Sequence, residues 1–321
     1  MLSAANQNIV EFVNLEDLLL FNNKTPVTLT IGSFDAIHLG HQKLISETVG
    51  LAKKNNTIPA LLTFNSHPRK ILNSEKSGAS IFSYEHRLEL ILKLGIQKIF
   101  VIHFNERFSN LSPFDFIQKI LIESLCSKAI ITGEDFCFGK NRQGNIDYLK
   151  EILLPKQISV SIVSPVLNAN LPVSTTRIRN LLLEKNIKEV NQLLGREYSL
   201  KGIVQQGFGR GHNLGFPTAN ITPETDIMPT EGVYITKTIY RGIIKPSITN
   251  VGNNPTFSNN QNPIALLVET HIMNESLPLY GELLEVIFLK FIRPEKKFKN
   301  IEELKNQISE DVKVAKQFHG I

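Results

Sequence analysis

Two histidines stand three positions apart at the start of a helical pattern, in the stretch GSFDAIHLGH at residues 32–41. Gly32 allows a tight turn off the preceding apolar segment, and the helix that follows offers free N–H groups and a positive dipole end to an anion. His38 and His41 share one face of that helix, so both imidazoles can reach the same phosphate. Transfer of a phosphoryl or nucleotidyl group depends mostly on positioning and charge neutralisation, which two such donors can supply.

The spacing H-x-x-H also fits a pair of surface histidines or half of a zinc site. Against zinc, no H-E-x-x-H motif and no third ligand follows in the sequence. A Walker A sequence is absent as well, which disfavours a P-loop kinase. The order of strand, glycine and helix therefore favours the phosphate interpretation.

A second glycine-rich stretch, GFGRGHNLGFPTAN, occupies residues 207–220. It begins like a dinucleotide-binding fingerprint, but His212 stands where the third glycine belongs, and Phe216-Pro217 stands where a helix should open. The stretch therefore does not predict a dinucleotide-binding turn. Its glycines would instead let a loop backbone wrap around phosphates, with Arg210 and His212 nearby to supply positive charge.

Thr218 and Asn220 end the same stretch and alternate with an alanine. Two residues apart in an extended segment, their side chains face the same way. A hydroxyl and a carboxamide oxygen suit a hard metal ion when a nucleotide supplies most of the anionic oxygens. The alternative is an ordinary turn that contains a proline.

The first half of the chain alternates short apolar runs with longer helical patterns. This alternation predicts a parallel sheet with crossover helices. The predicted strands are 27–34, 57–64, 97–104, 127–133 and 158–165, and the predicted helices lie in 39–55, 83–95 and 112–125.

A different pattern begins near residue 197, where short strand-like segments are separated by Gly, Pro and Asn. This pattern predicts an antiparallel β-barrel. A helical stretch at 175–195 leads into it, so we place the boundary between residues 185 and 197 and predict domains of residues 1–190 and 191–321. The predicted strands are 198–207, 232–242, 245–252, 264–273 and 282–292, followed by a helix at 300–318.

The composition is that of an ordinary folded protein, with 321 residues, 42% of them hydrophobic and 20% charged. No apolar run approaches the roughly 18 residues of a membrane span, and the N-terminus lacks a secretory pattern. Cys126 and Cys137 are too few and too poorly spaced for a disulfide framework or a zinc site, which predicts a cytoplasmic protein. The net charge of +5 is scattered along the chain and suits polyphosphate substrates, and no RNA-binding signature favours nucleic acid.

Residues 32–41 resemble the G-x-F-D-x-x-H-x-G-H signature of the nucleotidyltransferase superfamily. Two further segments agree with it. VSTTRIRNLL at 173–182 resembles the superfamily's Ser-Ser-Thr-x-Ile-Arg element, and TGEDFCFGKNRQGN at 132–145 resembles the Gly-x-Asp-Phe-x-Phe-Gly segment of one branch. That branch is the adenylyltransferase module of bacterial riboflavin kinase/FAD synthetase proteins, in which these segments enclose ATP.

This resemblance implies an ATP site in a Rossmann-like α/β domain. His38 and His41 would be catalytic residues that hold the ATP phosphates. Thr176 and Arg179 would contact the triphosphate from the opposite side, and a hydroxyl and a guanidinium three residues apart at a helix start also form an anion clamp on physical grounds. The remaining ATP-site residues implied by the signature are Gly32, Ser33, Phe34 and Asp35.

Residues 207–220 resemble the glycine-rich loop and Pro-Thr-Ala-Asn motif of riboflavin kinase. GVYITKT, SITNVGNNPTF, ALLVETHI, LYGELLEV and FIRPEKKF follow in the order expected of that module. The resemblance makes Glu269 the general base, a suitable role for a carboxylate beside the primary hydroxyl of a flavin. It also implies that ATP is bound by Gly207, Gly209, Arg210 and Gly211, Mg²⁺ by Thr218 and Asn220, and the flavin by Arg293.

Together the two resemblances cover nearly the whole chain and imply an enzyme with two activities. The C-terminal barrel would transfer the γ-phosphate of ATP to riboflavin, giving FMN. The N-terminal domain would then transfer AMP from a second ATP to FMN, giving FAD and pyrophosphate. Both steps require Mg²⁺ and a cradle for polyphosphate. The expected partners are riboflavin, FMN and ATP, and the oligomeric state stays open.

Two departures from the family pattern leave alternatives open. The family usually has glycine at the position of Ala36 and Pro-His-Pro at the position of Ser66-His67-Pro68, and an alanine would be strained in a turn that demanded positive φ. One alternative is therefore a riboflavin kinase whose first domain only binds nucleotide. The other is a non-enzymatic flavin-sensing or RNA-associated regulator built on the same folds.

Overall fold

The chain divides into two units that each pack around their own strands. The first unit is Met1–Ser80 with Tyr84–Thr175, and the second is Ile81–Ser83 with Thr176–Ile321. The predicted domain boundary at residues 190/191 falls inside a helix of the second unit and remains a prediction.

This computed structural model describes residues 7–65, 79–205, 215–223, 225–253, 266–275 and 279–321. Several predicted features lie outside the described residues. These are Gly207, Gly209, Arg210 and Gly211 of the glycine-rich loop, and the departure at Ser66-His67-Pro68.

Strands and helices alternate along the first unit, as predicted. They are β1 (Ile9–Phe12), α1 (Leu15–Leu20), β2 (Val27–Ile31), α2 (Leu39–Asn55), β3 (Ile58–Phe64), α3 (Tyr84–Lys93), β4 (Lys98–Ile102), α4 (Glu106–Ser109), α5 (Pro113–Asp115), β5 (Ser127–Gly133), α6 (Ile146–Leu153), β6 (Ser159–Val163), β7 (Leu167–Asn168) and β8 (Leu171–Pro172).

Six parallel strands form the sheet of this unit, in the order β1-β4-β3-β2-β5-β6. Separate apolar clusters cover its two faces, one containing Leu29 and Ile130 and the other containing Ile45 and Leu61. From β2 the chain proceeds outward through β3 and β4, and it then returns to β5 on the other side of β2. In open α/β sheets, ligands bind at this reversal, beyond the carboxyl ends of the strands.

The helix predicted at 112–125 has an irregular core. Ser112 caps α5 by accepting the backbone N–H of Asp115, and the chain then continues as a π-helix over Phe116–Ser124. A π-helix is rare and differs from an α-helix in its backbone hydrogen bonds, which span five residues instead of four. The spacing of apolar residues therefore does not distinguish the two.

The second unit contains two helices, a barrel and a final helix. They are α7 (Thr175–Leu183, beginning at the boundary), α8 (Ile187–Leu194), β9 (Tyr198–Gln205), β10 (Ala219–Pro223), β11 (Gly232–Tyr240), β12 (Ile243–Asn253), β13 (Leu266–Ile272), β14 (Leu283–Arg293) and α9 (Ile301–His319).

Six antiparallel strands close the barrel in the order β10-β13-β12-β11-β14-β9. Strand β10 is absent from the predicted strands, yet it closes the barrel by pairing with both β9 and β13. Val233 and Ile235 face outward and pack with Val312 and Ala315 of α9. The fold predicted for the two halves, a parallel α/β sheet and an antiparallel barrel with a terminal helix, is thus confirmed.

The barrel interior holds a chain of buried hydroxyl groups. Thr236 contacts the hydroxyls of Ser247 and Thr249 at 2.8 Å each, and Thr249 contacts Thr270 at 2.9 Å. Each of these four hydroxyl groups therefore has a hydrogen-bond partner within the protein and needs no water molecule. Because strand residues alternate between faces, the residues next to these threonines lie on the outer face of the barrel.

Candidate active sites

The turn that follows β2 lies at the reversal of strand order in the sheet. The backbone N–H of Gly32 still donates to Leu62 O of β3, at 3.1 Å, before the chain leaves the sheet. Segment 132–145 ends β5, the neighbouring strand on the other side. Because parallel strands end at the same edge of a sheet, residues 32–41 and 132–145 meet at the position where such sheets bind nucleotides.

His38 and His41 form a stacked pair at the start of α2. His38 is the N-cap, and its Nδ1 accepts the backbone N–H of His41 at 3.3 Å. The neutral His38 ring therefore carries its proton on Nε2, which makes that atom a donor. The two rings are 3.8 Å apart with 14° between their planes, and His38 is only 6% exposed.

Gly40, between the two histidines, makes room for this pair. A Cβ atom at Gly40 would lie 3.1 Å from His38 Cε1 and 3.2 Å from His38 Nδ1. The glycine of the H-x-G-H pattern thus allows the His38 ring to fold back over the first turn of the helix.

The backbone between Gly32 and His38 has positive φ at Phe34 and at Ile37, each with φ of 46°. Ala36 does not have positive φ, so the strain considered for an alanine at this position does not arise. A β-branched residue such as Ile37 rarely adopts this conformation, and such strain is concentrated at functional sites. The Phe34 ring lies 5.0 Å from the ring of His41.

Three side chains hold the carbonyl groups of this turn. Ser33 O accepts from Thr63 Oγ1 and from Arg87 Nη1, each at 3.1 Å, and Ile37 O accepts from Gln42 Nε2 at 2.9 Å. Arg87 Nη2 also donates to Phe64 O at 2.6 Å, so its guanidinium joins the ends of β2 and β3.

Arg87 is a buried cation that sequence reasoning missed. It is 5% exposed, and burial lowers its pKa while the charge of Asp35, itself 2% exposed, raises it. Since arginine remains protonated even so, Arg87 places a positive charge beneath the turn. The sequence could have indicated this role, because Arg87 lies among the apolar residues that form the buried face of α3.

Segment 132–145 forms an aromatic wall beyond β5. Phe136 and Phe138 stack at 5.4 Å, and the Phe138 ring lies against Gly144, where a Cβ atom would clash. Lys140 N donates to Leu111 O at 2.7 Å, which ties the loop to the segment before α5. Thr176 and Arg179 lie in α7 and belong to the second unit, with Thr176 exposed and Arg179 half-buried.

On the barrel, three polar residues form a row across adjacent strands. Asn220 of β10 pairs with Glu269 of β13, and Glu269 pairs with Asn250 of β12. Because their neighbours face the interior, all three side chains lie on the outer face. Asn250 Nδ2 also donates to Glu295 Oε1 at 3.2 Å. The Glu269 carboxylate thus lies mid-strand between two carboxamides.

Asn220 has a buried side-chain oxygen that lacks a hydrogen-bond partner among the described residues. The residue is 9% exposed, and among the described residues Oδ1 has no hydrogen-bond partner. Such an atom is costly to bury unless something binds it. Thr218, two residues away, is half-buried. These uncharged oxygens fit a hard cation whose other ligands are phosphate oxygens. In the described part of the chain, no cluster of three or more His, Cys, Asp or Glu is placed to hold a metal by itself.

His271 supports the Pro-Thr-Ala-Asn segment, a role that sequence reasoning missed. Its Nδ1 lies 2.8 Å from Pro217 O, and its ring contacts the Phe216 ring edge-on at 5.8 Å between centroids. Because a carbonyl only accepts, Nδ1 carries the proton. Burial lowers the pKa of His271, the bond to Pro217 raises it, and the charge of Lys316 lowers it. The sequence could have indicated this role, because His271 follows Glu269 by two residues and therefore lies on the same face of the strand.

Arg293 is bound to the C-terminal helix. Its Nε donates to both oxygens of Asp311 at 3.0 Å, and Nη2 donates to Asp311 Oδ2 at 2.6 Å. Nη1 donates to Pro294 O at 2.9 Å. Since Asp311 is buried, this forked pair anchors α9 to the barrel. The flavin contact expected of Arg293 remains a prediction.

Comparison with known protein families assigns both halves of the chain. Residues 21–177 match the model of the FAD synthetase family, and residues 194–319 match the model of the riboflavin kinase family. Within the described ranges, no helix is long and apolar enough to span a membrane.

Relatives with both domains are similar to this chain over nearly its whole length. A protein of Buchnera aphidicola subsp. Schizaphis graminum is 38% identical over 96% of this chain and 98% of its own length. A Listeria monocytogenes protein is 34% identical over 90% of this chain and 91% of its own, and an Escherichia coli K12 protein is 29% identical over 91% and 93%. Each is named bifunctional riboflavin kinase/FMN adenylyltransferase.

A solved structure shares the fold. The crystal structure named Macrolide-efflux Protein from Streptococcus pneumoniae is 27% identical, with a TM-score of 0.86 over 96% of this chain and 99% of that one. The two domain matches and the full-length relatives agree with the fold described above, a parallel α/β sheet followed by an antiparallel barrel. The chain therefore belongs to the family of bifunctional riboflavin kinase/FMN adenylyltransferases.

Proposed function

We propose that this chain converts riboflavin to FMN on the barrel and FMN to FAD on the parallel sheet, using one ATP in each step. The observation that carries the proposal is the presence of two separate polar sites. The barrel presents a carboxylate between carboxamides, whereas the sheet presents two stacked imidazoles at a helix N-terminus. The first arrangement suits removal of a proton from a hydroxyl, and the second suits neutralisation of a polyphosphate.

In the kinase step, the primary hydroxyl of riboflavin attacks the γ-phosphorus of ATP. A new O–P bond forms, the bond from the γ-phosphorus to the bridging oxygen breaks, and ADP leaves. The hydroxyl proton passes to Glu269, whose position in the polar row favours it as the base. Asn220 and Asn250 lie beside Glu269 on the two neighbouring strands.

Thr218 and Asn220 would hold Mg²⁺ together with the ATP phosphates. The buried Asn220 Oδ1 without a partner among the described residues supports this assignment. When bound, the ion neutralises phosphate charge. His271 keeps the segment in place through Pro217, so that Thr218 and Asn220 are ordered before the nucleotide arrives.

In the adenylyl-transfer step, a phosphate oxygen of FMN attacks the α-phosphorus of ATP. The bond to the β-phosphate bridging oxygen breaks, and pyrophosphate leaves. No proton has to be removed from the attacking group, so the residues act by positioning and by charge. His38 Nε2–H and backbone N–H groups of the first turn of α2 would donate to the phosphates, with His41 stacked behind.

The other assignments follow from the family resemblance alone. Thr176 and Arg179 would contact the triphosphate of the adenylylation ATP, Gly207, Gly209, Arg210 and Gly211 would enclose the kinase ATP, and Arg293 would contact the flavin. We also propose a cytoplasmic enzyme, because Cys126 and Cys137 are both free thiols.

Purified protein incubated with riboflavin, ATP and Mg²⁺ tests the proposal. We expect chromatography of the flavins to show FMN first and FAD afterwards, and separate assays of ADP and pyrophosphate to give one ADP per FMN formed and one pyrophosphate per FAD formed. Chelation of Mg²⁺ should stop both steps. Accumulation of FMN alone would instead indicate a kinase with an inactive first domain, and unchanged riboflavin would indicate a non-enzymatic protein.

The lowered pKa of His271 predicts that the stability of the folded protein depends on pH. Its pKa is lowered in the folded protein, so between that value and about 6.5 the unfolded chain binds more protons than the folded one. The contribution of His271 is therefore fully present above about pH 6.5 and declines as the pH falls below it. The thermal unfolding midpoint of the wild type should fall as the pH is lowered from 7 to 5. We expect this fall to be smaller in His271→Gln.

His319→Gln is the matched control for this prediction, because His319 also lies in the second unit and contacts a backbone carbonyl, Thr236 O, at 3.0 Å. If the wild type, His271→Gln and His319→Gln show the same pH slope, the buried ring of His271 is not the source of the dependence.

A further inference from the structure

Arg87 is buried beneath the turn that presents the two histidines, although it lies on helix α3, away from the motifs of the site. It is 5% exposed, so it has little access to a substrate. Its two terminal nitrogens bind two backbone carbonyls from different strand ends, Ser33 O at 3.1 Å and Phe64 O at 2.6 Å. A buried guanidinium used in this way acts on the backbone.

The Ser33 carbonyl is the point at which the turn leaves the regular sheet. Gly32 still makes a strand hydrogen bond, and the next residue after Ser33 is Phe34, which has positive φ. Thr63 Oγ1 donates to the same Ser33 oxygen at 3.1 Å. Two donors on one carbonyl therefore set the orientation of the peptide that joins Ser33 to Phe34.

From that peptide a continuous line of contacts reaches the histidines. The Phe34 ring lies 5.0 Å from the His41 ring, and the His41 ring stacks on His38 at 3.8 Å. Positive φ at Phe34 is unfavourable for a bulky residue, so the turn would relax to another conformation if the carbonyl were released. Relaxation would move the Phe34 ring and, with it, the imidazole pair.

We propose that Arg87 is a positioning residue for adenylyl transfer, which fixes His38 and His41 by holding the strained turn at Ser33. This inference rests on the proposed function of the two histidines. Lysine cannot replace it, because one ammonium lacks the planar fork that reaches two carbonyls at once. Arg87 itself would contact neither ATP nor FMN.

Arg87→Lys tests the proposal, with Arg107→Lys as the matched control on an exposed arginine of the same unit that pairs with Glu16. We expect Arg87→Lys to lower kcat for FAD formation from FMN by about 10- to 100-fold, the effect of misplacing catalytic groups by about 1 Å. The KM values for ATP and FMN should change little, and riboflavin kinase activity should be retained. The imidazole NMR resonances of His41 should shift, because the Phe34 ring current moves. Wild-type kcat with unshifted His41 resonances would overturn the proposal.

A second variant covers the case in which Arg87→Lys does not fold, which collapse of the dispersed NMR spectrum of the first unit would reveal. Thr63→Val keeps the shape of the side chain and removes one of the two donors to Ser33 O. We expect a smaller fall in kcat of the same kind and a shift of the His41 resonances in the same direction. If neither kcat nor the His41 resonances change in Thr63→Val, the proposal is contradicted. Failure of the function proposed for the sheet is distinct, because the wild-type protein would then form no FAD.

Discussion

Replacement of Glu269 by glutamine is expected to lower FMN formation from riboflavin by about 10²- to 10⁴-fold, the usual contribution of a general base. Glutamine keeps the size of the side chain and its place between Asn220 and Asn250, but it cannot take the hydroxyl proton. FAD formation from supplied FMN should continue at the wild-type rate, because His38 and His41 lie in the other unit. Separate initial-rate assays with riboflavin and with FMN measure the two effects.

Glu282→Gln is the matched control, since it makes the same chemical change on the barrel at a carboxylate that pairs with Arg241 on the surface. It should retain both activities. A folded Glu269→Gln protein that has lost both activities would refute the division of labour between the two units. A variant that still phosphorylates riboflavin at the wild-type rate would refute the role of Glu269 as base.

Replacement of His38 is expected to have the opposite selectivity. His38→Ala should lower FAD formation by about 10²- to 10³-fold, which is typical for loss of one donor to developing charge. Phosphorylation of riboflavin should be unaffected. His38 also caps α2, and loss of a cap costs about 1 kcal/mol, so His38→Ala combines two effects.

His38→Asn separates these effects, because asparagine is a good N-cap residue but lacks the imidazole. We expect His38→Asn to restore thermal stability relative to His38→Ala and to remain defective in FAD formation. His103→Ala serves as a control for loss of an imidazole in the same unit, where His103 pairs with Glu11 at the surface. Recovery of wild-type FAD formation in His38→Asn would mean that His38 contributes only as a helix cap.

The apolar pattern predicts most of the fold because the central strands β2, β3, β4 and β5 are largely buried, so that their sequences are nearly continuous apolar runs. The helix expected at 39–55 has those bounds in the structure. Short elements are missed where little apolar surface is involved. Strand β1 joins the sheet edge through four residues, and β10 follows a proline and is only five residues long. Strand β10 becomes a strand by pairing with β9 and β13.

The residues of the candidate sites differ in how far the sequence indicates them. His38, His41 and Asn220 stand out because their spacing and residue type indicate shared faces, whereas Glu269 is indicated by the family resemblance. Arg87 and His271 do not, because each acts on a backbone carbonyl of a segment distant in sequence, at Ser33 and at Pro217. The motif around Arg293 implies that this residue binds the flavin. In the structure, its guanidinium binds the carboxylate of Asp311.

Residue types and local spacing by themselves indicate two candidate phosphate-binding segments, a glycine turn before a helix and a Pro-Thr-Ala-Asn stretch, and the family resemblance of these segments implies the two activities. The tertiary structure alone decides how those groups are held. Positive φ occurs at Phe34 and Ile37 instead of Ala36, and the turn is fixed by Arg87 and Thr63. The physical reason is that backbone strain and carbonyl orientation depend on donors contributed by other strands and helices, which no local pattern records.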